Sequence, residues 1–332
     1  MRLLSIAAAS LTLTTPALAQ SGGAARGALE MRAHTNGMQH PHYEARADQT
    51  CAAAPIAGVR QRLVDLAVQE WARFGYRVSR RAGDISAHFP EFAGRDFSFA
   101  PYDENDPLLM GAIGGYWAAL TDAASSGVSQ VGAYEIARQN IAWANAAGEY
   151  RQTGGWATPW SAAFISWVMC EAGAAPFRFS WAHRDYVDAS IAAVESDAPH
   201  LYRARAPDQT PRVGDLLCAH RAGYRTDLAA RREQAGAEGE MHCDLVVAIN
   251  GRDVLAIGGN VENGVTAVRY DIHRGLFRTR IRSFCAPDEL CRAREERLFA
   301  LLTLAAPEDP GANVTRAPHF LAPPERAPPR IR

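Results

Sequence analysis

Lysine is absent from the sequence: none of its 332 residues is Lys, and all 35 basic side chains are Arg. This absence excludes mechanisms that use a lysine as nucleophile or general base. The formal net charge is only −1 at pH 7, so no basic surface for nucleic acid is expected. Hydrophobic residues make up 48% of the chain, enough for the core of one large domain or two small ones.

No apolar run in the sequence is long enough to span a membrane. The opening residues, MRLLSIAAASLTLTTPALAQ, instead have the pattern of a secretory signal peptide. Arg2 supplies the positive charge, a short apolar stretch follows, and an A-x-A cleavage site ends at Ala19. No cysteine follows that site, so no lipid anchor is expected. The sequence therefore predicts a bacterial protein that is periplasmic or secreted, with residues 1–19 removed and no integral membrane segment left.

All six cysteines lie in the mature chain. An even number of cysteines in an oxidising compartment favours disulfides over metal sites. Cys218 and Cys243 fall in two predicted strands and are expected to face each other. Cys285 and Cys291 bracket the short segment APDEL and are expected to close a small loop. The remaining two would then be Cys51 and Cys170; the alternative is that several cysteines are free and buried.

Composition divides the mature chain into three parts. Residues 20–55 are rich in Gly, Ala, Arg and His and are predicted to be a flexible linker. Residues 56–305 carry the periodic hydrophobic patterns and are predicted to form a single domain. Proline recurs from Ala306 onwards, so residues 306–332 are predicted to be a disordered tail. No metal or other cofactor is expected, because the histidines of the linker have no cysteine or carboxylate at ligand spacing.

Hydrophobic periodicity predicts helices first and strands afterwards. The predicted helices cover residues 59–74, 108–120, 133–147 and 159–172. The predicted strands cover residues 214–220, 242–249, 253–257, 266–273 and 297–304. Asn250-Gly251 lies between two apolar runs, which is the pattern of a β-hairpin. This order predicts an α+β fold in which N-terminal helices pack on an antiparallel sheet.

The segment TPWSAAFISWVMCEAG, residues 158–173, has the signals of a helix start and stop. Thr158 is the predicted N-cap, Pro159 the first helical residue and Gly173 the terminator. Ser161 would then be the third helical residue, where unpaired amides and the positive end of the helix dipole stabilise an anion. Ser161 is therefore a candidate nucleophile. The commoner use of Ser in a first turn is a local capping hydrogen bond.

The segment MHCDLVVAI supplies a candidate general base. Strand alternation places His242 and Asp244 on one face and Cys243 on the other. His242 is the candidate base, although a histidine at the start of a strand more often has no catalytic role. The next strand ends with Asn260, whose amide oxygen is expected to lie beside His242 and to orient its imidazole.

Four further side chains are candidates for contact with a substrate. The segment WAHRDYV contributes His183 and Tyr186, Trp160 precedes the candidate nucleophile, and Asp244 shares the face of His242. The other interpretation assigns His183 a structural role at a helix start and places the aromatic side chains in the core.

These motifs together resemble known proteins. A nucleophile at a helix start, a Gly-Asp strand, a strand that opens with His and a strand that ends in a polar residue resemble the NlpC and CHAP groups of papain-like cell-wall hydrolases. PWSAAFISWVM, AHRDYV, GDLLC, HCDLVVA and IGGNV more closely resemble an uncharacterised bacterial family, domain of unknown function 2272. That resemblance covers residues 156–271. The resemblance to the NlpC and CHAP groups implies a papain-like fold and a hydrolase that acts on peptidoglycan peptides.

One departure separates this chain from the NlpC and CHAP groups, whose nucleophile is Cys at the position of Ser161. A thiol loses its proton to a neighbouring histidine near neutral pH, whereas a hydroxyl needs the base during attack. The first hypothesis is an amidase or peptidase with Ser161, His242 and Asn260 as its catalytic residues. The second is a catalytically silent module that binds cell-wall peptide or an envelope protein, and the third is a purely structural envelope protein.

Overall fold

A computed structural model describes the main body of the chain. The described residues are 53–79, 85–94, 97, 103–104, 109–118, 120, 159–196, 199–221, 227–273 and 298–321, with the strand segments 32–34, 42–44 and 276–278. The predicted signal peptide, the predicted helix at 133–147, and Cys51, Cys285 and Cys291 lie outside these residues.

Six α-helices are present in the described residues. They are α1 (Val59–Arg73), α2 (Met110–Ala118), α3 (Ser161–Glu171), α4 (His183–Ala192), α5 (Leu228–Glu233) and α6 (Pro318–Leu321). Two 3-10 turns, Pro90–Phe92 and Val314–Arg316, accompany them. None of these helices combines the length and the apolar character needed to cross a bilayer.

The strands form a small hairpin and one large sheet. They are β1 (Arg32–His34), β2 (His42–Glu44), β3 (Tyr202–Arg205), β4 (Leu216–His220), β5 (Met241–Asn250), β6 (Asp253–Val261), β7 (Gly264–His273), β8 (Leu276–Arg278) and β9 (Leu298–Leu304). Strands β1 and β2 pair with each other within the predicted linker, and the other strands form a seven-stranded sheet in the order β3-β9-β4-β5-β6-β7-β8. Every neighbouring pair in that sheet is antiparallel. The predicted α+β class with an antiparallel sheet is therefore confirmed.

Helix α1 shows how the sequence pattern builds the core. Leu63, Ala67 and Trp71 recur at the spacing of one helical face and are completely buried. The helix ends at Arg73, and Gly75, just past its C-cap, takes a φ of 74°, while the Tyr76 amide donates to the Trp71 carbonyl at 2.9 Å. This is the backbone closure for which a glycine after the last turn is suited, as the sequence predicts.

Helix α3 packs directly on strands β5 and β6 of the sheet, as predicted. Phe164 is fully buried and faces Gly259 of β6. Strands β5 and β6 form the predicted hairpin, in which Asn250 pairs with Asp253 and Gly251 has a φ of 59°. The two loop residues are thus Gly251 and Arg252, one position later than Asn250-Gly251 itself.

The pairing of β4 with β5 brings two cysteines together. Cys218 lies opposite Cys243 in the strand register, and the two form a disulfide with their Cα atoms 4.1 Å apart. The predicted bond between them is confirmed. Cys170 of α3 is disulfide-bonded as well.

The C-terminal segment is ordered further than its proline content suggests. Val314, Ala317 and Phe320 are buried in the main core, and α6 packs against α1. Phe320 also meets Phe92 edge to face, with ring centroids 4.9 Å apart. The predicted disordered tail from Ala306 is corrected for residues 306–321, because these apolar side chains anchor a segment whose composition is otherwise that of a tail.

We expect Gly259→Ala to destabilise the protein by about 3 kcal/mol, at the upper end of the cost of overpacking. An added Cβ would lie 2.5 Å from Cβ and 2.6 Å from Cγ of Phe164, so helix α3 would have to move away from the sheet. Urea unfolding followed by circular dichroism measures the loss.

Gly94→Ala is the matched control for this substitution. Its φ of 79° gives the new side chain conformational strain, but no atom lies within 4 Å of an added Cβ. Strain alone should cost about 1 kcal/mol. Equal losses for the two variants would contradict the tight contact between α3 and β6.

Candidate functional site

Ser161 is the first residue of helix α3. Trp160 precedes it as the N-cap, and the Phe164 amide donates to the Trp160 carbonyl at 2.9 Å. The Trp160 indole is completely buried and donates to Glu104 Oε2 at 2.7 Å. The prediction of Ser161 as the third helical residue is therefore wrong: burial of Trp160 fixes the helix start after it, and Pro159 lies outside the helix.

The Ser161 hydroxyl bonds to a histidine, but not to the one that the strand pattern predicts. Its Oγ lies 2.7 Å from Nε2 of His183, and both residues are about 95% buried. The other ring nitrogen of His183, Nδ1, is hydrogen-bonded to the Tyr186 hydroxyl. His183 is the first residue of α4 and Tyr186 lies one turn further on. These three side chains form a continuous buried chain of hydrogen bonds.

A second hydrogen-bonded chain begins at His242. Its Nε2 lies 2.8 Å from Asp244 Oδ1, and the Tyr270 hydroxyl donates to Asp244 Oδ2 at 2.5 Å. His242 and Asp244 lie on one face of β5, as strand alternation predicts, and Tyr270 belongs to β7. The predicted orienter Asn260 is thus replaced by Asp244, a residue that the sequence suggests only as a substrate contact.

Asn260 is placed differently because β6 is irregular at its end. The pairing of β6 with β7 shifts between Gly258 and Val261, and Asn260 takes a φ of 55°. This left-handed conformation suits Asn better than most residues. The pairing of β5 with β6 ends at Leu245 opposite Ile257, so His242 and Asn260 are not paired residues of the hairpin.

The two chains meet at their histidines. The rings of His183 and His242 lie edge to face with centroids 5.0 Å apart. Burial lowers the pKa of His183 well below its ordinary value of 6.5, and the positive charges of His242 and Arg221 add to the effect. His183 is therefore neutral at pH 7, the state in which an imidazole accepts a proton.

Nδ1 of His242 is buried without a hydrogen-bond partner in the described part of the chain. The Asp244 carboxylate is an acceptor, so His242 donates to it from Nε2–H. Nδ1 is the other nitrogen of the ring that meets His183 edge to face. Such an atom is open to a bond from a substrate or a water molecule.

Two glycines of β6 allow these groups to pack so closely. An added Cβ on Gly258 would lie 1.8 Å from Asp244 Oδ1 and 2.9 Å from His242 Nε2. The adjacent Gly259 meets Phe164 of α3. The glycines therefore let β6 lie against both the His242–Asp244 pair and the helix that begins with Ser161.

The aromatic candidates do not line an open surface. Trp160 and Tyr186 are buried and bonded to internal partners, so their assignment as substrate contacts is corrected to supporting roles. Trp181, just before His183 in the chain, is instead 41% exposed. Within the described residues, no group of three or more potential metal ligands occurs.

Three features of the site are not predicted from sequence. The first is the Ser161–His183 pairing, the second is Tyr186 behind His183, and the third is Tyr270 behind Asp244. A signal exists for the tyrosines, because a Tyr in an otherwise apolar strand or helix face needs a partner for its hydroxyl. Naming that partner requires the strand register and the packing of α4.

The fold and site define an α+β protein with an antiparallel sheet and a serine–histidine pair at a helix start. The sequence profile of domain of unknown function 2272, described as an uncharacterized protein conserved in bacteria, matches residues 104–298. The chain belongs to this family, as its motifs predict. Comparison with the curated proteins and with the solved structures gave no match.

We expect His183→Gln to change how stability depends on pH. The pKa of His183 is lowered in the folded state, so the unfolded chain binds its proton first as the pH falls below about 6.5. Wild-type stability from this residue is present above that pH and is lost as the pH falls towards the lowered pKa. The His183→Gln variant has no imidazole at this position, so it does not lose this part of the stability as the pH falls.

Urea unfolding of both proteins at several values between about pH 7.5 and pH 5 measures the difference. The stability of wild type minus that of the variant should decrease as the pH is lowered. A difference that is constant over this range would contradict the neutral, buried state of His183.

We expect Gly258→Ala to destabilise the protein by about 3 kcal/mol, because the new methyl displaces the Asp244 carboxylate. A double-mutant cycle with Asp244→Ala tests this cause, since that variant removes Oδ1. The cost of Gly258→Ala should be smaller by about 1 kcal/mol or more in the Asp244→Ala background. Additive losses would show that the methyl acts on other atoms.

Proposed function

We propose that this protein is an exported amide hydrolase with Ser161 as its nucleophile and peptidoglycan peptides as its substrates. The observation that carries the proposal is the 2.7 Å contact between Ser161 Oγ and Nε2 of His183. A nucleophile needs a base within hydrogen-bond reach, and here the base is neutral at pH 7 because burial lowers its pKa.

The orientation of His183 suits proton transfer from Ser161. In one neutral tautomer, His183 Nδ1–H donates to the Tyr186 hydroxyl and Nε2 accepts from Ser161. Ser161 Oγ attacks the substrate carbonyl carbon as its proton moves to His183 Nε2. The C–N bond then breaks, the amine leaves with that proton, and water hydrolyses the acyl-enzyme.

Helix α3 supplies the positive environment for the oxyanion. Ser161 is its first residue, and no side chain caps the helix start. The amides of the first turn have no intrahelical partner, so they are donors available to a developing negative charge. The position of Ser161 at the very start of the helix favours this role.

His242 provides a second functional nitrogen in the proposed site. The Asp244 carboxylate accepts from Nε2 at 2.8 Å, which fixes the orientation of the ring. Nδ1 is left to bond to the leaving amine or to the water that hydrolyses the acyl-enzyme. The sequence assigns the role of base to His242 alone. We propose instead that His183 takes the proton of Ser161 and that His242 contacts the leaving amine or the water.

The papain-like assignment belongs to this proposal. The NlpC and CHAP resemblance implies a helix that begins with the nucleophile and packs on an antiparallel sheet. Here α3 packs on such a sheet, and its strand β5 carries a histidine. The choice of peptidoglycan peptides rests on that resemblance. The Cys218–Cys243 disulfide supports export, because such bonds persist in oxidising compartments such as the periplasm.

A binding module is the second candidate, and one observation favours it. Behind His183 lies the Tyr186 hydroxyl, where a serine hydrolase has a carboxylate. Burial raises the pKa of Tyr186 well above 10, with the negative charge of Asp244 adding to the effect, so the hydroxyl stays neutral. A neutral partner stabilises an imidazolium less than a carboxylate does. In this reading the protein binds cell-wall peptide or an envelope protein without cleaving it.

We expect Ser161→Ala to lower the cleavage of soluble peptidoglycan peptides at least about a thousandfold, since it removes the nucleophile. Mass spectrometry of the products measures the rate. His183→Ala should be similarly inactive because the hydroxyl then has no base in contact. Folding should survive the loss of the small Ser161 hydroxyl, with a change in stability of about 1 kcal/mol.

Ser161→Cys is the matched control, because it changes one atom at the same position. A site shaped for serine should lose activity with the thiol, whereas a former cysteine site should gain it. If both wild type and Ser161→Cys bind the peptides by calorimetry but cleave none of them, the hydrolase proposal fails and the binding module is correct.

A further inference from the structure

The segment before β5, residues 227–240, contains helix α5 and has no part in the site described so far. Asp227 caps the helix, accepting a hydrogen bond from the Ala230 amide at 2.8 Å. Most of the segment is exposed, but Arg231 is completely buried. A buried arginine in a short surface helix is unusual, since arginines are buried only when they are paired.

The partner of Arg231 is a carboxylate on the helix that carries His183. Arg231 Nε donates to Asp188 Oδ1 at 2.8 Å, and its Nη2 donates to Asp188 Oδ2 at 2.7 Å. The Gly236 amide donates to the same Oδ2 at 2.8 Å, and Arg231 Nη1 donates to the Ala237 carbonyl at 3.0 Å. This two-point pairing fixes direction as well as distance. It joins the segment to α4 in one geometry.

A second contact joins the segment to the first turn of α4. Arg184, the residue after His183, pairs with Glu238. The segment thus contacts α4 beside His183 through Arg184 and about one turn further on through Asp188, next to the turn that bears Tyr186. Its C-terminal end continues directly into β5, which carries His242.

The start of α4 needs such support because its N-cap, Ala182, has no side chain that can accept a hydrogen bond. On its inner side the preceding loop is held to α3: the Ser166 hydroxyl donates to the Ser180 carbonyl at 2.8 Å and accepts from the Ser180 amide at 3.0 Å. On its outer side α4 is held by Arg231. His183 therefore lies between two points of attachment. Ser166 holds the preceding loop to α3, and Arg231 holds α4 to the segment.

We infer that residues 227–240 form a clamp that positions His183 against Ser161, with Arg231 and Asp188 as its positioning residues. The inference rests on the proposed function for its catalytic consequence, but the geometry it concerns exists without catalysis. Arg231 acts through α4 and is not a catalytic residue. Loosening the clamp should lengthen the Ser161–His183 bond while leaving both side chains in place.

The test compares two neighbouring arginines. Arg231→Met combined with Asp188→Asn removes the buried pair without leaving one charge unpaired. Arg232→Met is the matched control: its side chain is half exposed and contacts Glu195, just beyond the end of α4, at 3.5 Å. Glu238→Gln weakens the Arg184 contact at an exposed position and serves where the double variant does not fold.

Two measurements on each purified protein separate positioning from catalysis. The first is the rate at which a fluorophosphonate labels Ser161, a step in which the Oγ–P bond forms, the P–F bond breaks and the proton moves to His183. The second is the ¹⁵N NMR signal of the His183 imidazole, which reports the bond from Nε2 to Ser161 without any turnover. Denaturant unfolding confirms that the variants are folded.

We expect the double variant to label about tenfold more slowly than wild type, the scale on which small misplacements of a reacting group act. Its His183 Nε2 signal should move towards that of Ser161→Ala, and Glu238→Gln should show smaller changes in the same direction. Arg232→Met should label within about twofold of wild type, as expected for an exposed ion pair.

A purely structural role for the segment predicts a different result. Unchanged labelling and an unchanged His183 signal in the double variant, or in Glu238→Gln where only that variant folds, would overturn the clamp. Wild-type protein that does not label at all would contradict the hydrolase proposal instead, and the NMR signal would then decide the clamp alone.

Discussion

The structure depends on one close approach, that of strand β6 to helix α3 and strand β5 at Gly258 and Gly259. Neither position has room for a Cβ: one would lie 1.8 Å from Asp244 Oδ1 and the other 2.5 Å from Phe164 Cβ. Because one neighbour belongs to the His242–Asp244 pair and the other to the helix that begins with Ser161, this contact sets where Ser161 stands relative to His242 and Asp244. Helix α3 packs against the sheet at these adjacent glycines, and this tight packing fixes the position of its first residue.

Two hydrogen-bonded chains of side chains lie beside this contact, and they differ in charge. Ser161, His183 and Tyr186 form a chain of neutral groups, since burial lowers the pKa of His183 and raises that of Tyr186. The chain from His242 ends on Asp244 and Tyr270 and contains a carboxylate. His183 is thus neutral beside Ser161, whereas His242 donates to the carboxylate of Asp244. The rings of His183 and His242 are in edge-to-face contact, so the two chains meet in one site.

Sequence reasoning predicts the parts of this structure that depend on local pattern. Alternation along one strand places His242 with Asp244 and turns Cys243 towards Cys218, and a hairpin signal between two apolar runs places β5 beside β6. The pairing of Ser161 with His183 is not local in this sense. It depends on the loop held by Ser166 and on the burial of Trp160, which moves the helix start. Such contacts join separate elements, and no period in the sequence encodes them.

The distribution of unfavourable features supports a functional role for this region. His183 is buried in a form whose protonation the fold opposes, Nδ1 of His242 has no partner in the described residues, and Arg231 is buried with its charge. Each of these lowers stability relative to an apolar core of the same shape. They occur at one helix start and on the segment packed against it. A fold selected for stability alone would replace them with aliphatic side chains, so their concentration around Ser161 indicates a site maintained for chemistry or for binding.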